Sequence, residues 1–303
     1  MILTVTLNPA YDKTVVVDSF EVGKTNRVES TNVEVGGKGI NVSKVLKILG
    51  VANRALILVG EREKVDFETQ LKSLGLDYDL VVVKRFHVRE NIKVIERSAG
   101  QVTELNERGY VDEENVEDLI LKKFQELVKH SSCVVLSGSL PEGIAPNFYA
   151  RLINIAKGFG VQTVLDTSGI FLSEGLRANP DLIKPNVHEL SELISSNSGF
   201  NVQSILKNGT NILLSKGAEG FEYYFDSRVI FAPGLRVNVK STVGAGDALL
   251  AGFVAGNYTL EKIKLARACA TAKIVYGFSG MTLENVLSFY SEEGIVCRNL
   301  SLR

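Results

Sequence analysis

Lys240-Ser241-Thr242-Val243-Gly244-Ala245-Gly246-Asp247, followed by Ala248-Leu249-Leu250-Ala251-Gly252-Phe253, is the stretch that organises the rest of the chain. Two glycines flank Ala245, so the backbone there is free to approach a ligand closely. The small and apolar residues after Asp247 read as a buried helix. A helix start carries unpaired N–H groups and partial positive charge, which suits a phosphate in transit. Asp247 falls in the first turn, where a carboxylate stays ionised and accepts a proton from an attacking hydroxyl. The plain alternative is a glycine turn capped by an aspartate. Two common nucleotide motifs are absent. A dinucleotide fingerprint needs a third glycine where Leu249 stands, and Gly23-Lys24-Thr25 ends a P-loop only if position 18 is Gly, where Asp18 is found.

Working outward, short runs rich in Val, Ile and Leu alternate with amphipathic stretches. Residues 2–7, 55–59, 79–83, 133–137, 161–166 and 210–214 read as buried strands. Between them, residues 40–49, 67–74 and 148–159 read as helices that stop at Gly50, Gly75 and Gly160. Val116, Leu119, Ile120, Phe124, Leu127 and Val128 mark one face of a further helix within 112–129, with Asp112 as its expected cap. Alternating strands and helices imply an α/β fold with a mainly parallel sheet covered on both faces. Two regions break this rhythm: residues 13–36 turn at Gly23, and residues 90–107 turn at Ala99-Gly100. Both alternate with period two, as small two-sided strands do. They read as a β-sheet lid inserted into one domain that spans residues 1–303, since no Gly/Ser-rich or Pro-rich linker separates them.

Composition narrows the class. The 303 residues are 45% hydrophobic and 23% charged, with a formal net charge of -1. Nothing in that balance draws the chain to nucleic acid or to an anionic membrane. Cys133, Cys269 and Cys297 are far apart, as are His87, His130 and His188, so neither a disulfide framework nor a zinc spacing is present. The opening Met1-Ile2-Leu3-Thr4-Val5-Thr6-Leu7 has no leader-like pattern, and no apolar run reaches ~20 residues. A soluble, cytoplasmic protein is expected.

Two further segments carry chemistry. Gly36-Gly37-Lys38-Gly39-Ile40-Asn41-Val42 puts three glycines and a lysine at a helix start, suited to a polyhydroxylated or phosphorylated ligand. Lys184-Pro185-Asn186-Val187-His188-Glu189-Leu190 sets Asn186 and Glu189 three apart, either as a helix cap or as partners of Mg²⁺ and its waters. Together with Asn8-Pro9-Ala10-Tyr11-Asp12, Arg89-Glu90-Asn91-Ile92-Lys93, Leu136-Ser137-Gly138-Ser139-Leu140-Pro141, Leu165-Asp166-Thr167-Ser168-Gly169 and Ser215-Lys216-Gly217-Ala218-Glu219-Gly220, these motifs resemble the ribokinase-like carbohydrate kinases, in the phosphofructokinase-B branch. The resemblance runs almost end to end.

That resemblance implies a three-layer α/β/α fold with a β-lid, ATP at the C-terminal half of the sheet, and Mg²⁺. Asp12, Gly37, Lys38, Asn41 and Ser137 match sugar-holding positions, while Asn26, Arg27 and Arg89 match positions near the phosphate that the sugar already carries. An Arg fork suits that role physically. Lys184, Asn186, Ser215, Gly217, Thr242, Val243, Gly244 and Gly246 match ATP positions, with Asn186 and Glu189 the Mg-associated pair. Asp247 matches the base, beside the Gly244, Ala245 and Gly246 amides. Two departures stand out near the lid: Glu61-Arg62-Glu63-Lys64 replaces further glycines, and Glu107-Arg108-Gly109 replaces a Pro/Gly turn. The loop at 196–209 is also short for the branch. The implied reaction is phosphoryl transfer from MgATP to a ketohexose monophosphate, nearest in pattern to fructose-1-phosphate kinases. Tagatose 6-phosphate and fructose 6-phosphate are the alternative substrates, and a sugar-phosphate sensor without catalysis is the alternative class. A homodimer joined through the lid is expected, because a small sheet does not bury its apolar face alone.

Overall fold

Seven parallel strands form the middle of the molecule; six fall where runs of Val, Ile and Leu predict them, and the two-residue strand Leu182–Ile183 is additional. The computed structural model describes residues 1–196 and 199–300. The first strands are β1 (Ile2–Thr6), β2 (Ala10–Val17) and β3 (Ser30–Gly36), followed by helix α1 (Lys38–Ile48). Then come β4 (Asn53–Gly60), α2 (Lys64–Ser73), β5 (Tyr78–Val83), β6 (Phe86–His87), β7 (Arg89–Glu96), β8 (Gln101–Asn106), β9 (Tyr110–Val111) and α3 (Val116–Val128). The chain continues with β10 (Cys133–Ser137), α4 (Phe148–Gly158), β11 (Gln162–Asp166), α5 (Gly169–Leu176), β12 (Leu182–Ile183), α6 (Val187–Ser196), α7 (Val202–Lys207) and β13 (Asn211–Ser215). It closes with β14 (Gly220–Phe225), β15 (Arg228–Pro233), α8 (Ala245–Ala255), α9 (Thr259–Gly280), α10 (Leu283–Leu287) and β16 (Val296–Asn299).

The main sheet has ten strands in the order β16-β15-β14-β13-β12-β11-β10-β1-β4-β5. From β13 to β5 every pair is parallel, and β14, β15 and β16 extend the sheet antiparallel. Helices cover both faces. One core joins Leu3, Val5, Leu56, Phe67, Phe124, Tyr149 and Leu165, and the other joins Val42, Val135, Leu213, Leu250, Ala266 and Cys269. Such double burial explains strands that read as unbroken apolar runs. Strand ends in a sheet of this kind converge on one edge, where loops collect ligands. One expectation is corrected here. Asp112 does not cap α3: the helix begins at Val116 with Asn115 before it, and Asp112 instead lies 3.6 Å from Arg85.

The lid is a separate four-stranded sheet, β3-β2-β7-β8. Its register fixes its faces, because residues opposite one another share a side of the sheet. Asp12, Glu34, Asn91 and Asn106 align in one row; Lys13, Val33, Ile92 and Leu105 align in the next, on the other face. Residues 18–29 form a long loop between β2 and β3 rather than a tight turn at Gly23. Of the short 196–209 segment, residues 197 and 198 lie outside the described residues. Among the described residues no helix is long and apolar enough to cross a membrane.

Candidate active site

Gly244 adopts φ +78° and starts α8, a conformation that costs a side chain dearly. A Cβ at that point would come within 2.7 Å of the Phe278 ring. The turn brings Asp247 into the first turn of α8, only 6% exposed, where its Oδ2 accepts a 2.9 Å hydrogen bond from Asn41 Nδ2 on α1. The N–H groups of Gly246 and Asp247 have no acceptor among the described residues, so the helix start presents free donors beside the carboxylate. Burial pushes the Asp247 carboxyl up and the neighbouring Asp166 adds to it, while Lys38, Asn41 and Lys184 oppose them; the balance is about 6. A carboxylate poised there is ionised at neutral pH yet basic enough to take a proton.

Beneath Asp247 lies an ionic trio with a buried carboxylate at its centre. Asp166, at the end of β11 and wholly buried, receives Lys38 Nζ at 3.0 Å and Lys184 Nζ at 3.1 Å, both on Oδ1. Burial works to raise the Asp166 carboxyl, but Lys184 and Lys38 override it and hold it below the ordinary carboxylate range. Its Oδ2 is buried with no hydrogen-bond partner, as is the Ser137 hydroxyl across the β10–β11 pair. Two cations against the ionised Asp166 leave the trio with a single positive charge, which an ionised Asp247 beside it offsets. The Lys184 ammonium lies 3.3 Å from where a Cβ on Gly246 would stand, so this charge reaches the glycine loop.

The lid supplies the opposite wall. Gly36 ends β3 without a side chain because a Cβ there would meet the Asp12 carboxylate at 1.9 Å. Asp12 Oδ1 accepts from Asn91 Nδ2 at 2.9 Å, and Arg89 donates to Asn91 Oδ1 at 3.2 Å and to the Glu107 carbonyl at 3.0 Å. Floor and lid enclose a cavity of about 310 Å³, lined by hydroxyl and amide partners and by charges of both signs. Its dimensions and donor set suit a polyhydroxylated anion.

Of the residues named from sequence, Asp12, Gly37, Lys38, Asn41, Arg89, Val243, Gly244 and Asp247 line this one cavity. Ser137 and Lys184 lie behind it, buried at strand ends. Ala245 and Gly246 form the first turn of α8. Asn186 and Glu189 cap α6 reciprocally, Glu189 Oε2 accepting from the Asn186 amide at 2.8 Å and Asn186 Oδ1 from the Glu189 amide at 2.9 Å. Ser215, whose hydroxyl donates to the Pro185 carbonyl at 3.4 Å, ends β13 and Gly217 follows it, while exposed Thr242 precedes the glycine loop; none of the three lines the sugar-sized cavity. Asn26 and Arg27 sit on the 18–29 loop, Asn26 is tied to Glu21, and neither lines the cavity.

Asn91, Lys93, Glu104, Asn106 and Asp166 were missed as site residues. The first four alternate with period two on β7 and β8 and face the cavity, a pattern already present in Arg89-Glu90-Asn91-Ile92-Lys93. Asp166 carried no such signal, since one aspartate closing a buried strand is common at a loop.

A family model described as pfkB family carbohydrate kinase matches residues 5–284. The chain belongs to the pfkB carbohydrate kinases. A 1-phosphofructokinase of Borreliella burgdorferi is 33% identical over 98% of this chain and 97% of its own. A tagatose-6-phosphate kinase of Staphylococcus epidermidis is 32% identical, covering 84% and 85%. Among solved structures, phosphofructokinase-2 of Escherichia coli with potassium bound superposes with a TM-score of 0.85 at 25% identity, over 95% of this chain and 97% of that one. This pfkB chain is thus an ATP-dependent sugar kinase with the ribokinase-like α/β fold that its motifs imply.

Proposed function

We propose that this kinase transfers the γ-phosphoryl group of ATP to a hydroxyl of a ketohexose monophosphate, foremost fructose 1-phosphate, giving fructose 1,6-bisphosphate and ADP. One observation carries the reading: a buried carboxylate poised near neutrality, beside free helix-start amides, forms the floor of a cavity walled by a desolvated arginine. The 1-phosphofructokinase relatives support fructose 1-phosphate, and the tagatose-6-phosphate kinase relative supports tagatose 6-phosphate as the second substrate to test.

In this reading Asp12, Asn91 and Asn41 hold the sugar hydroxyls, and Arg89 meets the phosphate that the sugar brings. Asp247 orients the acceptor hydroxyl and takes its proton as the new P–O bond forms and the bond to ADP breaks. The free N–H groups of Gly246 and Asp247, with Lys38 and Lys184 behind, offset negative charge on the group in transit. Ser215, Gly217, Thr242 and Val243 flank the side on which ATP enters.

The residues present fit Mg²⁺. Among the described residues no cluster of three or more acidic, histidine or cysteine groups forms a metal cage. Mg²⁺ in phosphoryl-transfer sites needs only one or two carboxylates, with water and nucleotide phosphates completing its shell. Capping uses one oxygen of Glu189 and leaves Oε1 without a hydrogen bond, and Asp166 Oδ2 is unpartnered. Glu189 and Asn186 would hold the hydrated ion, which supplies charge neutralisation to the phosphates. The lid also supports a homodimer: on the face away from Asp12, Val33 is 43% and Leu105 55% exposed, apolar surface that a second lid would cover.

Measuring ADP release with fructose 1-phosphate, tagatose 6-phosphate and fructose 6-phosphate tests the reading. Fructose 1-phosphate is expected to give the highest kcat/KM. No turnover with any phosphorylated or free sugar would favour the non-catalytic sensor.

A further inference from the structure

A cleft of about 710 Å³ opens beside the root of the lid, next to the sugar cavity and larger than it. Two of its walls come from segments outside the sugar cavity: Arg62 follows β4, and Arg108 lies between β8 and β9. Lys84 and Arg85, in the turn between β5 and β6, complete the basic rim, and Arg89 closes the inner end. Five cationic side chains thus meet three acidic ones, Glu107, Asp112 and Glu142. Arg62 and Lys84 make no ion pair among the described residues. Arg85 and Arg108 reach Asp112 and Glu142 only at 3.6 Å, in the open, where such pairs are worth little and give way to a better anion.

We propose that this cleft binds a small molecule carrying two phosphate groups and that its occupancy weakens the sugar site through Arg89. Each phosphate group brings about -1.5 to -2 charges at neutral pH, so a single one does not use the whole basic rim. Arginine forks are suited to such groups, and the cleft has three besides Arg89. Among the described residues Arg89 alone lines both cavities. Its Nε and Nη1 are engaged by Asn8, Asn91 and Glu107, which leaves Nη2 without a partner. One guanidinium does not serve a phosphate on each side at full strength, and two anions drawn to the same cation repel each other. The cleft ligand and the sugar phosphate therefore oppose each other. Binding in the cleft stands apart from the kinase reading, whereas the coupling to the sugar site rests on it.

Pyrophosphate is the probe, added with magnesium in excess. Calorimetric titration of the intact chain is expected to show a site that weakens about tenfold or more in the Arg62→Glu/Lys84→Glu variant. Saturating pyrophosphate should raise the KM for fructose 1-phosphate about fivefold or more at excess MgATP, with kcat unchanged. The variant, altered only at exposed side chains outside the sugar cavity, should keep wild-type kcat and KM and lose this response. Replacing pyrophosphate by fructose 1,6-bisphosphate or by ADP identifies the source of the two phosphates, through the part of each affinity that the variant loses. If the charge-reversed protein is misfolded, Arg62→Ala/Lys84→Ala replaces it, with the same loss expected at smaller size. Equal pyrophosphate affinity in wild type and a folded variant, or inhibition that only excess ATP relieves, overturns the proposal. A wild type that binds pyrophosphate in this variant-sensitive way but turns over no sugar overturns the kinase reading and leaves the site standing.

Discussion

Asp166 and Asp247 sit on the floor of the site almost without contact with water, whereas every residue of β8 at the outer edge of the lid is exposed. The floor is built from strand ends and helix starts that the two cores lock from behind, so its charges are held at fixed distances and at a cost. The lid faces water on much of its surface and presents its polar row, Asp12, Asn91 and Asn106, toward the cavity through strand register alone. The difference divides the labour. Proton transfer needs a dry, preorganised group, while the choice among sugar phosphates needs a wall whose side chains exchange without breaking a core.

Three substitutions separate these roles. The largest effect is expected on the floor: Asp247→Asn keeps size and much hydrogen bonding but removes the base, lowering kcat by roughly 10²–10⁴-fold with little change in ATP affinity. A folded Asn variant that retains most of its kcat would mean that Asp247 serves only the helix. In the lid, Arg89→Ala should raise the KM for fructose 1-phosphate by about 10- to 100-fold, the worth of a lost charged hydrogen bond, and leave the KM for ATP nearly unchanged. Equal effects on both substrates would erase the contrast.

Stability should move the other way from activity. Because the Asp247 pKa is raised in the fold to about 6 from 3.8, ionising it works against folding. That penalty is absent below about pH 4, grows as pH rises toward 6 and is complete above it. Asp247→Asn should therefore stabilise the protein at pH 8 by roughly 1–3 kcal/mol and lose this advantage near pH 4, as denaturant titrations at the two pH values would read. A variant that is less stable at pH 8 contradicts the strain assigned to the floor. Leu105→Glu, on the lid face away from Asp12, is expected to alter catalysis least. It should convert a micromolar dimer into monomers in sedimentation, and wild-type protein that sediments only as monomer removes the dimer.

The strands of the body were legible because burial on both faces leaves no polar residue to confuse the pattern, as in Val134-Val135-Leu136 and Leu56-Ile57-Leu58-Val59. Gly50, Gly75 and Gly160 marked helix ends and all adopt positive φ. The antiparallel extension by β14, β15 and β16 was not legible: strand direction is set by pairing partners far along the chain, and β16 is wholly exposed. In the site, Lys38, Asn41 and Asp247 carried signals because each lies at a glycine-rich helix start, whereas Asp12, inside β2, was named only through the family resemblance. Asp166 became visible only through the two lysines that converge on it from the start of α1 and from the residue after β12. The 18–29 loop shows the converse, since Arg27 fitted a motif position but hangs at the far end of the lid strands, where no local pattern fixes its direction.

The pH dependence of kcat/KM for fructose 1-phosphate, measured in wild type and in Asp247→Asn, tests the central claim most directly. Wild-type activity should fall by one proton below about pH 6, as the Asp247 carboxylate takes the proton that it must leave vacant for the sugar hydroxyl. The Asn variant should keep only a small residual rate without that limb. A limb that persists unchanged in the variant belongs to the phosphate of the sugar, and together with a near-normal rate it would contradict the assignment of the base.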